Sequence, residues 1–251
     1  MSDIRAILRA MTPCPTAIAS ARIERIGSER EPLLVLDEAV TEPERLVEIA
    51  ASASTFADAA TGGDNFYPGR LAPAPLEYVG ALSRALDPLI REHYDLPDVA
   101  PWRASCNFAL ATLAPERLRL AQSIPHVDTV DPLQFAVLHY LCDPAFGGTA
   151  FYRHRSTGYE TLTVDRLETY QSALDRELEA EPPQLGYING DTAQFALMHR
   201  TDCVFNRVIV YRSCLLHSGQ IPRPEALSAD PRQGRLTANI FLTYRPVRAT
   251  P

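Results

Sequence analysis

A regular alternation of polar and apolar side chains runs through Gly234-Arg235-Leu236-Thr237-Ala238-Asn239-Ile240-Phe241-Leu242-Thr243-Tyr244. Successive side chains of a β-strand point to opposite faces of its sheet, so this stretch predicts a strand with one polar and one apolar face. The polar face carries Arg235, Thr237, Asn239 and Thr243. We expect the apolar face to pack against helices and the polar face to line a barrel interior. An arginine there calls for an anionic partner, because an unpaired buried guanidinium is costly.

The second half of the chain is rich in strand-like segments. They are alternating, β-branched or aromatic, and they cover residues 103–113, 134–142, 149–155, 204–216 and 235–244. A helical insertion at about 165–181 interrupts them, with Leu167, Tyr170, Leu174 and Leu178 as its apolar stripe.

The first hundred residues favour helices. Thr41-Glu42-Pro43-Glu44 is a capping pattern that predicts one helix. Apolar residues at helical spacing from Leu76 to Ile90 predict a second, which Pro88 is expected to kink or to end early. Residues 1–30 lack clear periodicity and are expected to form an arm, and residues 60–70 read as a loop. Helices followed by strands indicate an α+β fold, a β sandwich or barrel braced by N-terminal helices.

Composition narrows the classes of function. The length of 251 residues fits one large domain, and no apolar run approaches the roughly 20 residues of a membrane helix. The net charge of −7 argues against a dedicated binder of nucleic acid or anionic membrane. All 24 basic residues are arginine, which excludes lysine nucleophiles. The five cysteines lack C-x-x-C spacing and no secretory signal is visible, so we expect reduced thiols and a cytoplasmic protein.

The segment Pro125-His126-Val127-Asp128 places a histidine and an aspartate two residues apart. In a strand both side chains point to one face and supply two of the three ligands of a 2-His-1-carboxylate iron site. The simpler interpretation is a turn capped by Asp128. His217 ends an apolar run that begins at Val208, so it is expected at a strand terminus, as a third ligand or as a surface residue at a turn.

The other histidines fit a metal site less well. His139 lies inside an apolar run and is expected to be a core residue with satisfied hydrogen bonds, and His93 is expected at a helix end. His154 and His199 are rival ligands, but each lacks a carboxylate two residues away. The loop residue Tyr67 could approach a substrate mouth, although a mobile surface loop is the simpler interpretation.

Four segments in their order resemble the 2-oxoglutarate/Fe(II)-dependent dioxygenases, in particular the prolyl-hydroxylase-like branch and an uncharacterised bacterial group. These segments are His126-Val127-Asp128, Gly147-Gly148-Thr149, Leu216-His217-Ser218 and Arg235-Leu236-Thr237. The resemblance covers roughly residues 100–245. It implies a double-stranded β-helix (jelly-roll) core and a single domain over 1–251, with 1–100 as mainly helical support and 101–248 as the core.

The resemblance also implies a site. Fe(II) would be bound by His126, Asp128 and His217. The distal carboxylate of the cosubstrate 2-oxoglutarate would meet Arg235, assisted by Thr237, and Asn107 would touch the cosubstrate as well. Relatives often place the arginine about ten residues after the distal histidine, whereas here the gap is eighteen, so Arg245 remains a rival to Arg235. Halogenating relatives have a small residue in place of the carboxylate, so Asp128 favours hydroxylation.

The substrate and two other classes of protein stay open. We expect a small-molecule or peptidyl substrate and neither a nucleic acid nor a membrane, and the sequence leaves a homodimer open. The first alternative is a cupin-like metalloenzyme that uses no 2-oxoglutarate and gives Arg235 a structural role. The second is a non-catalytic β-barrel binding module. Position alone suggests residues 165–181 and 219–234 as lids.

Overall fold

The computed structural model describes residues 12–52, 56–62 and 66–247. Four α-helices lie within these ranges, namely α1 (Pro15–Ala19), α2 (Pro43–Ser52), α3 (Leu76–His93) and α4 (Val164–Ala180). The strands of the same ranges are β1 (Arg22–Ile26), β2 (Glu31–Leu36), β3 (Ala57–Asp58), β4 (Gly69–Pro73), β5 (Val99–Ala111), β6 (Gln134–Tyr140), β7 (Thr149–His154), β8 (Phe195–Thr201), β9 (Val208–Arg212), β10 (His217–Gly219) and β11 (Arg235–Pro246). None of the described helices combines the length and apolar character needed to cross a membrane.

The strands form two antiparallel sheets. The large sheet has eight strands in the order β1-β2-β9-β6-β11-β5-β4-β3, and the small sheet has the order β10-β7-β8. His126 forms a bridge with His217, which extends the small sheet beyond β10. The protein therefore mixes helices with a large antiparallel sheet, and the segment around His126 joins the edge of the small sheet.

Strand β11 lies in the middle of the large sheet, where it pairs with β5 on one side and β6 on the other. Leu236, Ala238, Ile240 and Leu242 point to one face and are buried in a core shared with α2 and α3. Burying each large aliphatic side chain contributes about 1.5–3 kcal/mol, so this apolar face fixes the register of the strand. The predicted alternation of β11 is confirmed.

A second core cluster lies between the two sheets. Phe151 of β7 meets residues of the large sheet there, among them Tyr140 and Tyr211. The Phe151 and Tyr211 rings make an edge contact with centroids 5.1 Å apart. The two sheets therefore pack face to face, and the polar face of β11 looks into the space between them.

Helix α3 does not end at Pro88. It continues to His93, because Tyr78, Leu82, Leu86 and Ile90 form one fully buried stripe that spans both sides of the proline. Packing of this stripe offsets the missing backbone hydrogen bond at Pro88. Leu76 was expected in the stripe, but it is 81% exposed at the first turn of the helix.

Other expectations are corrected in the same way. Residues 22–26 form β1 rather than a loose arm, β4 begins inside the expected loop, and β8 was not predicted. Residues 1–11 of the expected arm lie outside the described residues. Four strands before residue 100 join the large sheet, so this part of the chain supplies sheet as well as helices. Helix α4 agrees with the predicted insertion at about 165–181.

Candidate metal centre

Two chain segments bring His126, Asp128 and His217 together. The backbone N–H of His126 donates to the carbonyl of His217, and the N–H of His217 donates to that of His126, each at 2.9 Å. The N–H of Asp128 donates to the Ser213 carbonyl, also at 2.9 Å. Backbone pairing between the two segments therefore fixes the positions of all three side chains.

The three side chains could share one cation. His126 Nε2 lies 3.9 Å from Asp128 Oδ1, and His217 Nε2 lies 3.8 Å from Asp128 Oδ2. One ligand atom from each residue lies within 4.8 Å of the other two. Neighbouring ligands at roughly 2.1 Å from one metal ion are about 3 Å apart, so a bound cation would draw this group together slightly.

A backbone contact fixes the tautomer of His217. Its Nδ1 lies 2.8 Å from the carbonyl oxygen of Leu215, which can only accept, so Nδ1 carries the proton. The lone pair of Nε2 then faces Asp128. The ring of Tyr211 packs edge-on against the imidazole, with centroids 4.8 Å apart, and holds its plane. His217 is therefore oriented as a metal ligand.

Burial keeps the two histidines in the neutral form that binds metals, whereas it shifts the carboxylate the other way without neutralising it at pH 7. It lowers the pKa of His217 to about 4 and raises the pKa of Asp128 to about 6. Burial also lowers the pKa of His126, and the neighbouring His217 adds to this effect, although half of the His126 side-chain surface remains open. At neutral pH the site therefore offers two neutral imidazoles and one carboxylate, the forms that bind a metal ion.

The candidate ligands line a cavity of about 740 Å³ between the sheets. Small-molecule sites commonly occupy about 300–1,000 Å³, so this cavity has room for a cosubstrate and an organic substrate. Arg235, Thr237 and Asn107 line the same cavity. The structure thus places all six residues named from the sequence around one space.

Arg235 is 4% exposed. Its Nη2 donates to the carbonyl of Gly148 at 2.9 Å and its Nε to that of Gly147 at 3.3 Å. Within the described residues no carboxylate approaches the guanidinium within 4.0 Å. The ionisable side chains near it are tyrosines and cysteines, which are neutral at pH 7. A buried guanidinium that donates to backbone carbonyls and has no carboxylate beside it among the described residues can receive an anion.

Arg235 is also close to the candidate ligands. A Cβ built on Gly219 would lie 3.6 Å from Nη2 of Arg235. Gly219 and His217 are two residues apart on β10, a separation of roughly 7 Å along a strand. A short diacid could therefore bridge a metal at His217 and the guanidinium.

The glycine pair is required by the packing around Arg235. A Cβ on Gly148 would lie 1.8 Å from the carbonyl oxygen of Thr201 on β8, and Gly147 has φ of 78°. Side chains at these positions would push β7 away from β8 and move the carbonyls that hold Arg235.

Hydroxyl groups surround the guanidinium. Thr237 is fully buried, and its Oγ1 donates to Oδ1 of Asn239 at 2.7 Å. The Tyr67 hydroxyl lies close to Arg235 and Thr237, and burial raises its pKa to about 12. The sequence indicated Tyr67 only as a loop residue near a mouth. The depth of Tyr67 in the cavity depends on strand pairing, because β4 follows directly after it and pairs with β5.

The rival residues lie elsewhere. Arg245 is exposed and stacks over Trp102, with its guanidinium carbon 5.9 Å from the ring centroid. His154 contacts Glu177 at 3.0 Å, and His199 contacts Glu24 at 3.1 Å. Neither histidine lines the cavity. The expectation for His139 is confirmed, because Tyr78 and Asn206 bind its two ring nitrogens.

Position alone suggested residues 165–181 and 219–234 as lids, and this stays a prediction. No residue of α4 lines the cavity, and residues 219–234 contribute Gly219 and Ile221. Residues that precede β4, β6 and β8 also line it, namely Phe66, Tyr67, Pro68, Ala121, Gln122 and Tyr187.

A model described as a family of unknown function, DUF6445, matches residues 17–242. The chain belongs to this family. No curated protein matches the chain.

Solved structures of low sequence identity are similar to the chain. HygX from Streptomyces hygroscopicus, solved with nickel, 2-oxoglutarate and hygromycin B, is 12% identical, with 88% of this chain and 86% of that chain covered and a TM-score of 0.43. A prolyl 4-hydroxylase from Phytophthora capsici is 12% identical, with coverage of 97% and 66% and a TM-score of 0.45. The α-ketoglutarate-dependent epimerase SnoN from nogalamycin biosynthesis is 11% identical, with coverage of 98% and 88% and a TM-score of 0.44.

Proposed function

We propose that the chain is a non-haem Fe(II)- and 2-oxoglutarate-dependent oxygenase that hydroxylates a small-molecule or peptidyl substrate. One observation carries the proposal. Two imidazoles and a carboxylate meet in the same cavity as Arg235, a buried guanidinium without a carboxylate partner among the described residues. A 2-His-1-carboxylate set is typical of non-haem Fe(II) oxygenases, and the guanidinium fork matches a carboxylate.

The residues fit both groups. His126, Asp128 and His217 would hold Fe(II) and leave coordination positions for the cosubstrate and O₂. When bound, the metal would activate O₂ and 2-oxoglutarate would supply two of the four electrons that reduce it: one oxygen atom of O₂ enters a substrate C–H bond as hydroxyl, and the other enters succinate as CO₂ is released. Asp128 occupies the place that a halide would need in a halogenase, so hydroxylation is the reaction we propose.

The remaining side chains bind and orient. Arg235 would bind the distal carboxylate of 2-oxoglutarate through two parallel hydrogen bonds, and the hydroxyl of Tyr67 would donate to the same group beside Thr237. Asn107 would contact the cosubstrate from β5. Phe66 and Tyr187 cover the cavity and would limit the entry of water during turnover.

The fold supports this proposal. We assign the two facing sheets to a double-stranded β-helix, with α2 and α3 bracing the outer face of the large sheet through their shared core. The whole chain, 1–251, would act as a single domain. We further propose a cytoplasmic location and no nucleic-acid substrate, in keeping with the net charge of −7. A homodimer is compatible with this arrangement.

The test is oxygen-dependent formation of succinate from 2-oxoglutarate by the Fe(II)-loaded protein, with ascorbate supplying electrons for turnover without substrate. We expect the wild type to form succinate, and His126→Ala to lose more than about 90% of that activity. His199→Ala is the matched control, because His199 is a histidine outside the cavity.

Each alternative gives a different result. Metal binding without succinate formation would favour a cupin-like enzyme that does not use 2-oxoglutarate. Equal metal content in the wild type and His126→Ala would favour a binding module without a functional metal site.

A further inference from the structure

We infer that the substrate of the proposed oxygenase carries an anionic group, a carboxylate or a phosphate, that binds Arg103 at the end of the cavity opposite Arg235. This inference rests on the proposed function, and it names the substrate class of the same site. Nothing in the sequence pattern around residue 103 distinguished this arginine from a surface residue of β5.

Arg103 lies on the inner face of the large sheet. Across the strands it pairs with Thr243, which pairs in turn with Gln134. All three line the cavity. The backbone N–H of Ser213 donates to the Gln134 carbonyl, and the Ser213 carbonyl accepts from Asp128. One row of residues across β9, β6, β11 and β5 therefore leads from the candidate metal ligands to Arg103.

The length of this row sets the scale of the substrate. Three gaps between neighbouring strands separate Ser213 from Arg103, and each gap is about 4.8 Å, so the row spans roughly 14 Å. A substrate that touches both ends would therefore have several bonds between its oxidised carbon and its anionic group.

Arg235 lies on β11, at the opposite end from Thr243, the residue that pairs with Arg103. It is eight residues from Thr243 along β11, and its guanidinium is next to Gly219 on the far side of the candidate ligands. The cavity thus has a guanidinium at each end. Arg235 is buried, which suits a cosubstrate that binds first, and Arg103 is exposed to solvent, where an arriving substrate can reach it.

The charges of the cavity favour an anion at Arg103. Apart from the candidate metal ligands, Arg103 and Arg235 are the charged side chains among the described residues that line it. A divalent cation, the Asp128 carboxylate, Arg235 and the two carboxylates of 2-oxoglutarate together sum to zero. Arg103 then adds one uncompensated positive charge, although the whole chain has a net charge of −7. Electrostatic complementarity therefore predicts a negatively charged substrate.

The neighbours of Arg103 leave it available. Within the described part of the chain it makes no ion pair or side-chain hydrogen bond, and the polar groups beside it on the cavity floor are the neutral Ser105, Gln134 and Thr243. These neutral groups can hydrogen-bond to an organic substrate without opposing its charge.

The test uses the protein loaded with Zn(II), which does not react with O₂, and saturated with 2-oxoglutarate, so that Arg235 is occupied. Ligand-observed NMR then measures the binding of matched probes: 3-phenylpropionate against 3-phenylpropionamide, 4-phenylbutyrate against its amide, and phenyl phosphate. We expect at least one carboxylate or the phosphate to bind about ten-fold more tightly than the neutral amides. Arg103→Gln should reduce this preference to about one, and Arg103→Lys should retain part of it.

Arg84→Gln is the control, because Arg84 is an exposed arginine of α3 outside the cavity and its loss changes the net charge equally. Equal or undetectable binding of anions and amides to a protein that does bind Zn(II) and 2-oxoglutarate would overturn the inference and leave the proposed function standing. A preference that persists in Arg103→Gln would also overturn it. Failure to bind Zn(II) and 2-oxoglutarate would instead refute the proposed function, and the inference with it.

Discussion

Replacing Arg235 by glutamine should separate cosubstrate binding from both metal binding and folding. The buried guanidinium has two hydrogen bonds to backbone carbonyls, at 2.9 and 3.3 Å, and no carboxylate partner among the described residues. Without 2-oxoglutarate, Arg235→Gln loses these bonds but also removes a buried charge. The two effects oppose one another, so we expect the free energy of unfolding to change by no more than about 1 kcal/mol.

With 2-oxoglutarate the same substitution should be severe. Truncating one partner of a buried, hydrogen-bonded charge pair costs about 2–5 kcal/mol, because the other charge is left without compensation. This loss corresponds to a Kd for 2-oxoglutarate that rises roughly 30-fold to 4,000-fold. Anaerobic calorimetry with the metal-loaded protein measures it, and the affinity for the metal alone should change by less than about three-fold.

Arg245→Gln is the matched control, because Arg245 is an exposed arginine on the same strand that stacks over Trp102. Its Kd for 2-oxoglutarate should equal that of the wild type. The reasoning is refuted if Arg245→Gln weakens 2-oxoglutarate binding while Arg235→Gln does not, or if Arg235→Gln weakens the metal and the cosubstrate equally.

Three further predictions concern other residues. Tyr67→Phe should raise the Kd for 2-oxoglutarate about five- to ten-fold in the same calorimetry, since one hydroxyl donor is lost, and an unchanged Kd would contradict this role. Asn206→Ala should lower the free energy of unfolding in urea by about 3 kcal/mol, because Asn206 binds both backbone groups of Val40 and the ring of His139; a loss below 1 kcal/mol would be inconsistent with that network. Burial lowers the pKa of His139 to about 4, so the unfolded state takes up a proton first as the pH falls. The contribution of His139 to stability, present in full above pH 6.5, should therefore fall by about 3 kcal/mol towards pH 4. His139→Gln should flatten this decline relative to the wild type, and parallel stability curves would disprove the assignment.

Local patterns predicted the elements in which one face is buried. The alternation of β11 and the spacing of α4 are properties of short segments, and the structure shows both. The sequence also predicted that the side chains of His126 and Asp128 lie together, because residues two positions apart in an extended segment point to the same face. What the segment could not show is the bridge to His217, since that contact joins residues about ninety positions apart.

The strands that were missed have different causes. β4 has little strand character of its own and forms because it pairs with the distant strand β5. β1 forms a local hairpin with β2 at the edge of the large sheet, which the weak periodicity of residues 1–30 did not indicate. The burial of Tyr67 follows from the pairing of β4. The pairing register of β11 with β5 shifts between Thr243 and Tyr244, just before Arg245. No sequence pattern predicted this shift. Arg235 and Arg245 could therefore not be distinguished before the strands were placed.

The central claim is that His126, Asp128 and His217 bind one metal ion beside Arg235. Anaerobic addition of Fe(II) and then 2-oxoglutarate tests it most directly, because a 2-oxo acid chelated to Fe(II) gives a weak visible charge-transfer band that neither component gives alone. We predict that the wild type develops this band at one equivalent of Fe(II) and that His217→Ala does not. A wild-type protein without the band, or an undiminished band in His217→Ala, would contradict the claim.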